Sequence, residues 1–152
     1  MKLLNIKDSQ LDIEKTFDLL YKQWGHCFKK TKEEKIAQLQ RAINKNSKFP
    51  QMYILKEKGV LVGTFSFERT ELDTGNVALL RYVVINPEFR GKGYGHILLN
   101  YIDKIGRNNY DKVFLITNLN GFYEKIGFTF LRQIDQNEEI NKLYSKNYIN
   151  IL

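Results

Sequence analysis

Cysteine is almost missing from this chain. Cys27 is the only one in 152 residues, so no disulfide can close within it, and without a CxxC pair or a Cys/His cluster no metal site is expected. A reducing, cytoplasmic setting follows as the expectation. No run approaches the roughly 20 apolar residues that a membrane-spanning helix needs. The opening MKLLNIKDSQLDIEKTF is broken by Lys7, Asp8 and Asp12 before a signal-peptide core could form, so no membrane partner is expected. Repeats, low-complexity tracts and linkers are also lacking, and residues 1–152 read as a single domain. Proline is scarce, and both copies act as stops: Pro50 closes a helical section and Asn86-Pro87 ends an apolar strand.

What is present excludes a disordered or fibrous chain, since hydrophobic residues make up 43% and aromatics 13%. A net charge of +7 and a pI near 9.4 suit a nucleic acid, an acidic membrane surface or an anionic cofactor. A lysine-rich solvated face accounts for the same numbers, so charge alone names no partner.

The stretch from Val77 to Gly106 organises the rest. Ala78 to Ile85 is apolar apart from Arg81, the composition of a strand buried on both faces. After Arg90 come Gly91, Gly93 and Gly95, separated by Lys92 and Tyr94, and then Ile97, Leu98, Tyr101, Ile102 and Ile105 recur at helical spacing. A strand that turns through glycines into a helix offers backbone NH groups and a positive dipole end, which suits a phosphate.

Around this stretch the pattern predicts a strand at Lys2 to Ile6 and a helix capped by Ser9 that uses Leu11, Ile13, Phe17, Leu19 and Leu20. An aromatic loop, Tyr21 to Phe28, leads to a second helix opened by the Thr31/Glu34 capping pair and running through Ile36, Leu39 and Ile43. Met52 to Lys56 and Val60 to Glu68 form a hairpin turning at Lys58 and Gly59, and Asp73, Thr74 and Gly75 turn the chain into the organising strand. Val113 to Thr117 is a further strand. Asn118 to Gly127 is a short helical turn, Phe128 to Ile134 a strand, and Leu143, Tyr144, Tyr148 and Ile149 outline a last one. The fold class is therefore mixed α/β, with a largely antiparallel sheet of about six to seven strands flanked by helices.

The glycine turn is not a P-loop, because GxxxxGK[ST] is absent, nor a dinucleotide fingerprint, because His96 stands where GxGxxG needs otherwise. Arg90, Gly93 and Gly95 match (Arg/Gln)-x-x-Gly-x-(Gly/Ala). Glycines permit positive φ and close approach to a ligand, while Arg90 and Lys92 add charge near a pyrophosphate.

With VVINPEFRGKGYGHILL at 83–99 and NGFYEKIGF at 120–128, the chain resembles the GNAT superfamily of N-acetyltransferases, and the order of elements agrees over nearly its whole length. The resemblance implies a bulged central strand and acetyl-CoA as acetyl donor, with no metal. It places Val83, Val84 and Ile85 beside the pantetheine arm through their backbone groups, and Arg90, Gly91, Lys92, Gly93, Tyr94, Gly95 and His96 around the pyrophosphate. It makes Tyr123 the general acid for the departing thiolate, a role that suits a phenol with an ordinary pKa of about 10. Of two asparagines upstream of Tyr123, Asn118 at the strand end is preferred over Asn120 as a CoA contact.

A base is also needed, because a lysine-like amine has a pKa near 10.4 and its ammonium form has no lone pair. Neither Ala78 to Ile85 nor Val113 to Thr117 holds an acid, which leaves Glu68 as the best carboxylate, directly or through water. A bound water, or an acceptor of lowered pKa, would make a dedicated base unnecessary. Trp24, Phe28 and Arg81 are the candidates for contact with the acceptor, a primary amine on a small molecule or a peptide N-terminus. The Phe49-Pro50 entry to the hairpin is loosely similar to that of peptide N-terminal acetyltransferases. The expected state is monomer or homodimer. Two other functions stay open: a non-catalytic acyl-CoA-binding module, and, further off, a basic nucleic-acid-binding domain, although a nucleic-acid partner is disfavoured.

Overall fold

The structure is a computed structural model that describes residues 1–25, 30–42, 48–73, 75–136 and 139–149. Among the described residues seven strands, β1 (Lys2–Asn5), β2 (Gln51–Glu57), β3 (Val60–Leu72), β4 (Gly75–Ile85), β5 (Lys112–Thr117), β6 (Thr129–Gln136) and β7 (Glu139–Asn147), are hydrogen-bonded in the order β1-β2-β3-β4-β5-β7-β6. By contacts the chain divides into two compact units, Met1–Phe67 with Tyr82–Tyr94, and Glu68–Arg81 with Gly95–Leu152.

In the first unit β1 (Lys2–Asn5) pairs antiparallel with β2 (Gln51–Glu57), and β2 pairs antiparallel with β3 (Val60–Leu72). Lys58 (φ 50°) and Gly59 (φ 79°) make the β2–β3 turn, the pair of positive φ values that a two-residue hairpin demands. Alternation divides the faces. Met52 and Ile54 join Ile6, Ile13, Leu19, Leu20 and Val84 in one core cluster. The ring of Tyr53 stacks on Phe65, 5.1 Å between centroids.

Helix α1 (Ile13–Trp24) buries Ile13, Thr16, Phe17, Leu19 and Leu20 along one face, as their spacing predicts. Ser9 does not cap it. The Ser9 hydroxyl donates to the Asp12 carboxylate, two 3-10 turns precede the helix, and Leu11 is 97% exposed instead of lying in the core. Short turns place residue 11 out of phase with the helix that follows. Helix α2 (Lys32–Ala42) opens as expected, the Glu34 backbone NH donating to Thr31 Oγ1 at 3.2 Å, a cap that stabilises by about 1 kcal/mol. The predicted helical end at Ile43, and Thr74 of the predicted turn, lie outside the described residues, as do His26, Cys27 and Phe28.

In the second unit β4 (Gly75–Ile85) pairs parallel with β5 (Lys112–Thr117) through Ala78–Leu80 and Val113–Leu115. Helix α3 (Tyr94–Asn109) buries Leu98, Leu99, Ile102 and Gly106. β7 (Glu139–Asn147) runs antiparallel between β5 and β6 (Thr129–Gln136). It is longer than the sequence outlines, while Tyr148 and Ile149 follow its end. Leu79, Phe114 and Leu143 form the core cluster here.

The expectation of a doubly buried central strand needs correction. On β4 Leu79, Leu80 and Val84 are buried, Arg81 is exposed, and Tyr82, Val83 and Ile85 are half-buried. Tyr82 also leaves the extended region, at φ 55°. An apolar run of this kind signals burial in total but not a local departure from extended backbone, which here falls on a residue other than glycine.

Candidate active site

In the first unit the end of β4 is held by β3. Thr64 Oγ1 donates to the Tyr82 carbonyl at 2.7 Å, the Asn86 NH to the Val62 carbonyl at 2.7 Å, and Asn86 Nδ2 to the Leu61 carbonyl at 3.0 Å. A Cβ on Gly63 would stand 2.7 Å from the Val84 carbonyl oxygen, so β3 approaches Val84 as closely as only glycine allows. These contacts secure the left-handed conformation of Tyr82, a strain of order 1–3 kcal/mol that surroundings must hold. Trp24 packs edge-on against Tyr82, 5.8 Å between centroids, which puts one predicted acceptor contact beside this left-handed residue.

Beyond Ile85 the chain turns. Gly91 (φ 75°) and Gly93 (φ 87°) both require glycine for their backbone, and a Cβ at either would meet nothing within 4 Å. Their identity is therefore set by conformation, with room left above the backbone. Alternate residues of this kind gather NH groups toward one side, and the first residues of the 16-residue helix α3 follow at once. The residues present thus fit a pyrophosphate.

Arg90 has a structural task that the sequence does not show. Its Nε donates to the Ile85 carbonyl at 3.0 Å and its Nη2 to Gln23 Oε1 at 3.1 Å, bracing the turn on the strand and on α1. Lys92 lies over the Phe89 ring at 5.8 Å, and Phe89 meets Tyr94 edge-on at 5.5 Å. The Tyr94 hydroxyl donates to Glu57 at the tip of β2, and that hydrogen bond is the main reason its pKa is raised.

In the second unit Gly95 and the exposed His96 lie in the first turn of α3. Tyr123 opens a 3-10 turn, Tyr123–Ile126, closed by Gly127 at φ 93°. The residue is 5% exposed, with its ring edge-on to Phe122 at 4.9 Å and to Phe128 at 6.2 Å. Burial pushes its pKa well up, so the hydroxyl keeps its proton and can act as a donor. Asn118 is exposed at the end of β5, whereas the Asn120 side-chain carbonyl accepts from Lys142.

Glu68 and Arg81 come together: Arg81 Nη1 meets Glu68 Oε2 at 3.2 Å, with the side chains 42% and 24% exposed for Arg81 and Glu68 respectively. A carboxylate of β3 thus stands beside the cation of β4. Phe28, the remaining predicted acceptor contact, lies outside the described residues. Glu57 and Gln23 escaped sequence reasoning altogether. No motif surrounds them, and only the hairpin and α1 bring them to the glycine turn.

Among the described residues no group of three His, Cys, Asp or Glu side chains could hold a metal ion, and no helix is long and apolar enough to cross a membrane.

The sequence pattern of the Acetyltransferase (GNAT) family matches residues 13–128. No curated protein matches the chain by sequence. Among solved structures, an aminoglycoside 6′-N-acetyltransferase complexed with coenzyme A superposes with a TM-score of 0.74 at 15% identity, covering 100% of this chain and 99% of its own. A spermidine N-acetyltransferase from Vibrio cholerae, in complex with CoA and spermine, gives 0.72 at 16% identity over 97% and 95%. An aminoglycoside 6′-acetyltransferase type Ii gives 0.71 at 16% identity over the whole of both chains, 100% and 100%. At such identities the likeness is one of fold.

Proposed function

The chain belongs to the GNAT family of acetyltransferases, and on that premise we propose the roles of its residues and the class of its acceptor. It is an acetyl-CoA-dependent N-acetyltransferase. Gly91 and Gly93, with His96 and the backbone at the head of α3, hold the pyrophosphate. Lys92 contributes charge, while Arg90 and Tyr94 support the turn. The backbone groups of Val83, Val84 and Ile85 align the pantetheine arm, and Asn118 contacts the same ligand. The observation that carries this reading is the pair of positive-φ glycines, open above their backbone, at the start of α3.

The acceptor is a primary amine, and transfer is direct within a ternary complex. As the new C–N bond forms and the thioester C–S bond breaks, Tyr123 gives its phenolic proton to the departing sulfur. Glu68 takes the proton that the amine sheds, directly or through one water, and exchange with solvent restores both groups. Arg81 keeps the Glu68 carboxylate oriented and favours an acceptor that also bears an anionic group. Trp24 and Phe28 supply apolar contact.

A small-molecule amine is the acceptor class that the aminoglycoside and spermidine enzymes of the same fold support. A peptide N-terminus is the other arm of the test. We read residues 1–152 as one catalytic domain, cytoplasmic, working as a monomer or homodimer.

The experiment is a free-thiol assay with acetyl-CoA and a panel of spermidine, an aminoglycoside, amino acids and a short peptide. Thiol release dependent on one class of amine, lost in Tyr123→Phe, is the expected result. Acetyl-CoA binding without release by any amine would favour the non-catalytic module instead.

A further inference from the structure

The segment from Asn118 to Phe128 carries Tyr123 but has little structure of its own. It holds one short 3-10 turn, and Gly121 (φ 80°) and Gly127 (φ 93°) bracket it with left-handed backbone. Such a turn has weak internal hydrogen bonding. A catalytic phenol has to be held to within about half an ångström, which calls for support from outside the segment.

That support comes from one face of β7. β5 leads into the segment and β6 leads out of it, yet the two do not pair with each other: β7 lies between them in the sheet. Residues at alternate positions of a strand share a face, and on β7 Lys142, Tyr144 and Lys146 are such a set. Two of them bond to successive points of the segment: Lys142 Nζ donates to Asn120 Oδ1 and Lys146 Nζ donates to the Ile126 carbonyl, while Tyr144 stands between them, its pKa raised by burial and then by the charge of Glu124. Glu124 in turn accepts from the Gly121 NH.

Lys146 is largely enclosed. Its side chain is 16% exposed and its ammonium is matched by Asp103 of α3 at 2.6 Å, itself 20% exposed and also bonded to Arg107 at 3.0 Å. Its stem lies so close to Gly127 that a Cβ there would stand 3.3 Å from Lys146 Cε. An unpaired ammonium would not remain in such a place; this one is neutralised and points a further donor at the turn.

We infer that Lys142 and Lys146 of β7, with Tyr144 on the same face between them, are positioning residues that fix the Tyr123 hydroxyl for proton donation. The inference rests on the proposed role of Tyr123. It adds a cause for the placement of that residue, from a strand that carries no GNAT motif.

The test compares Lys146→Met, Tyr144→Phe and Lys142→Met, each alone and with Tyr123→Phe. It uses acetyl-CoA and the amine that releases most thiol in the panel above. Lys146→Met keeps the packing of the stem, and Tyr144→Phe keeps the ring against Phe130 should Lys146→Met fold poorly. The expected result is a kcat lower by roughly ten- to a hundredfold for Lys146→Met with the KM for acetyl-CoA changed less than about twofold, and no further loss when Tyr123→Phe is added. Ring resonances of isotope-labelled tyrosine should show Tyr123 displaced in the same variants without substrate. Unchanged kcat, or losses that add to that of Tyr123→Phe, would overturn the inference and leave the role of Tyr123 standing. If Tyr123→Phe itself turns over at the wild-type rate, the role of Tyr123 falls and the inference with it.

Discussion

The glycine turn after β4 and the Tyr123 segment after β5 are both short connections that carry candidate site residues, yet they differ in how far each depends on remote side chains. The first rests mainly on its own backbone, with bonds from Arg90 to Gln23 and from Tyr94 to Glu57 as braces. Gly91 and Gly93 take conformations that only glycine adopts readily, and Arg90 bonds the carbonyl of Ile85, five residues back. The second is fixed by β7, with bonds spanning 22 residues from Lys142 to Asn120 and 20 from Lys146 to Ile126. A connection made by backbone conformation tolerates side-chain change but not loss of glycine. One held by remote side chains is sensitive to their loss as well as to loss of its bracketing glycines, Gly121 and Gly127.

Gly93→Val attacks the first connection where it is most vulnerable. A branched side chain at φ 87° is strained by about 1–2 kcal/mol and fills the space above the backbone. Affinity for acetyl-CoA, read by calorimetry, should fall on the order of a hundredfold or more, equivalent to about 2.7 kcal/mol. Near-normal affinity in this variant would mean the turn is structural only.

Tyr123→Phe is the matching attack on the second connection. It should cost about a hundredfold in kcat, at the low end for a general acid, while acetyl-CoA binding survives. If affinity and kcat fall together, the contrast between a binding connection and a chemical one disappears.

Gly63→Ala probes how far the first connection depends on β3. With the Val84 carbonyl 2.7 Å from the new Cβ, the strand must shift, and overpacking costs about 1–3 kcal/mol, visible as a lower Tm and a higher KM for acetyl-CoA. An unchanged Tm would show that β4 yields easily there.

Glu68→Gln and Arg81→Gln sharpen the comparison further. The pair is partly exposed, so its loss should change stability by less than about 1 kcal/mol, yet the Glu68→Gln enzyme should lose roughly tenfold in kcat/KM. Equal and slight effects from both variants would assign the pair a structural role.

The last effect is alkaline and confined to high pH. Burial raises the pKa of Tyr123, and burial with Asp103 raises that of Tyr148. Below the unfolded value of about 10 both residues are protonated in both states, and the full contribution is present. As pH rises beyond it the unfolded chain loses protons that the folded chain retains, so stability falls by at most about 1.4 kcal/mol per pH unit for each tyrosine. Urea midpoints followed from about pH 9 to 11 should show a shallower decline in Tyr123→Phe; an identical decline would mean the phenol is not shielded.

The difference between the two connections also explains what could be read from the sequence. Alternating strands, the Lys58-Gly59 turn, the Thr31 cap and the glycine turn rest on local chemistry, and each stands where its residues indicated. Ser9 and Leu11 misled because a 3-10 turn shifts the helical phase by a residue. The break at Tyr82 has no glycine to mark it. The bracing by Gln23, Glu57 and β7 comes from residues whose identity is ordinary and whose meaning arises only from the neighbours the fold provides.

We propose that the positive-φ glycines after β4 form an acetyl-CoA site. Thermal unfolding with and without acetyl-CoA tests it most directly. Ligand at about a hundred times its Kd should stabilise the protein by roughly 2.7 kcal/mol, giving a clear rise in Tm that Gly93→Val abolishes. A Tm unmoved by millimolar acetyl-CoA in the unmodified protein would contradict the account.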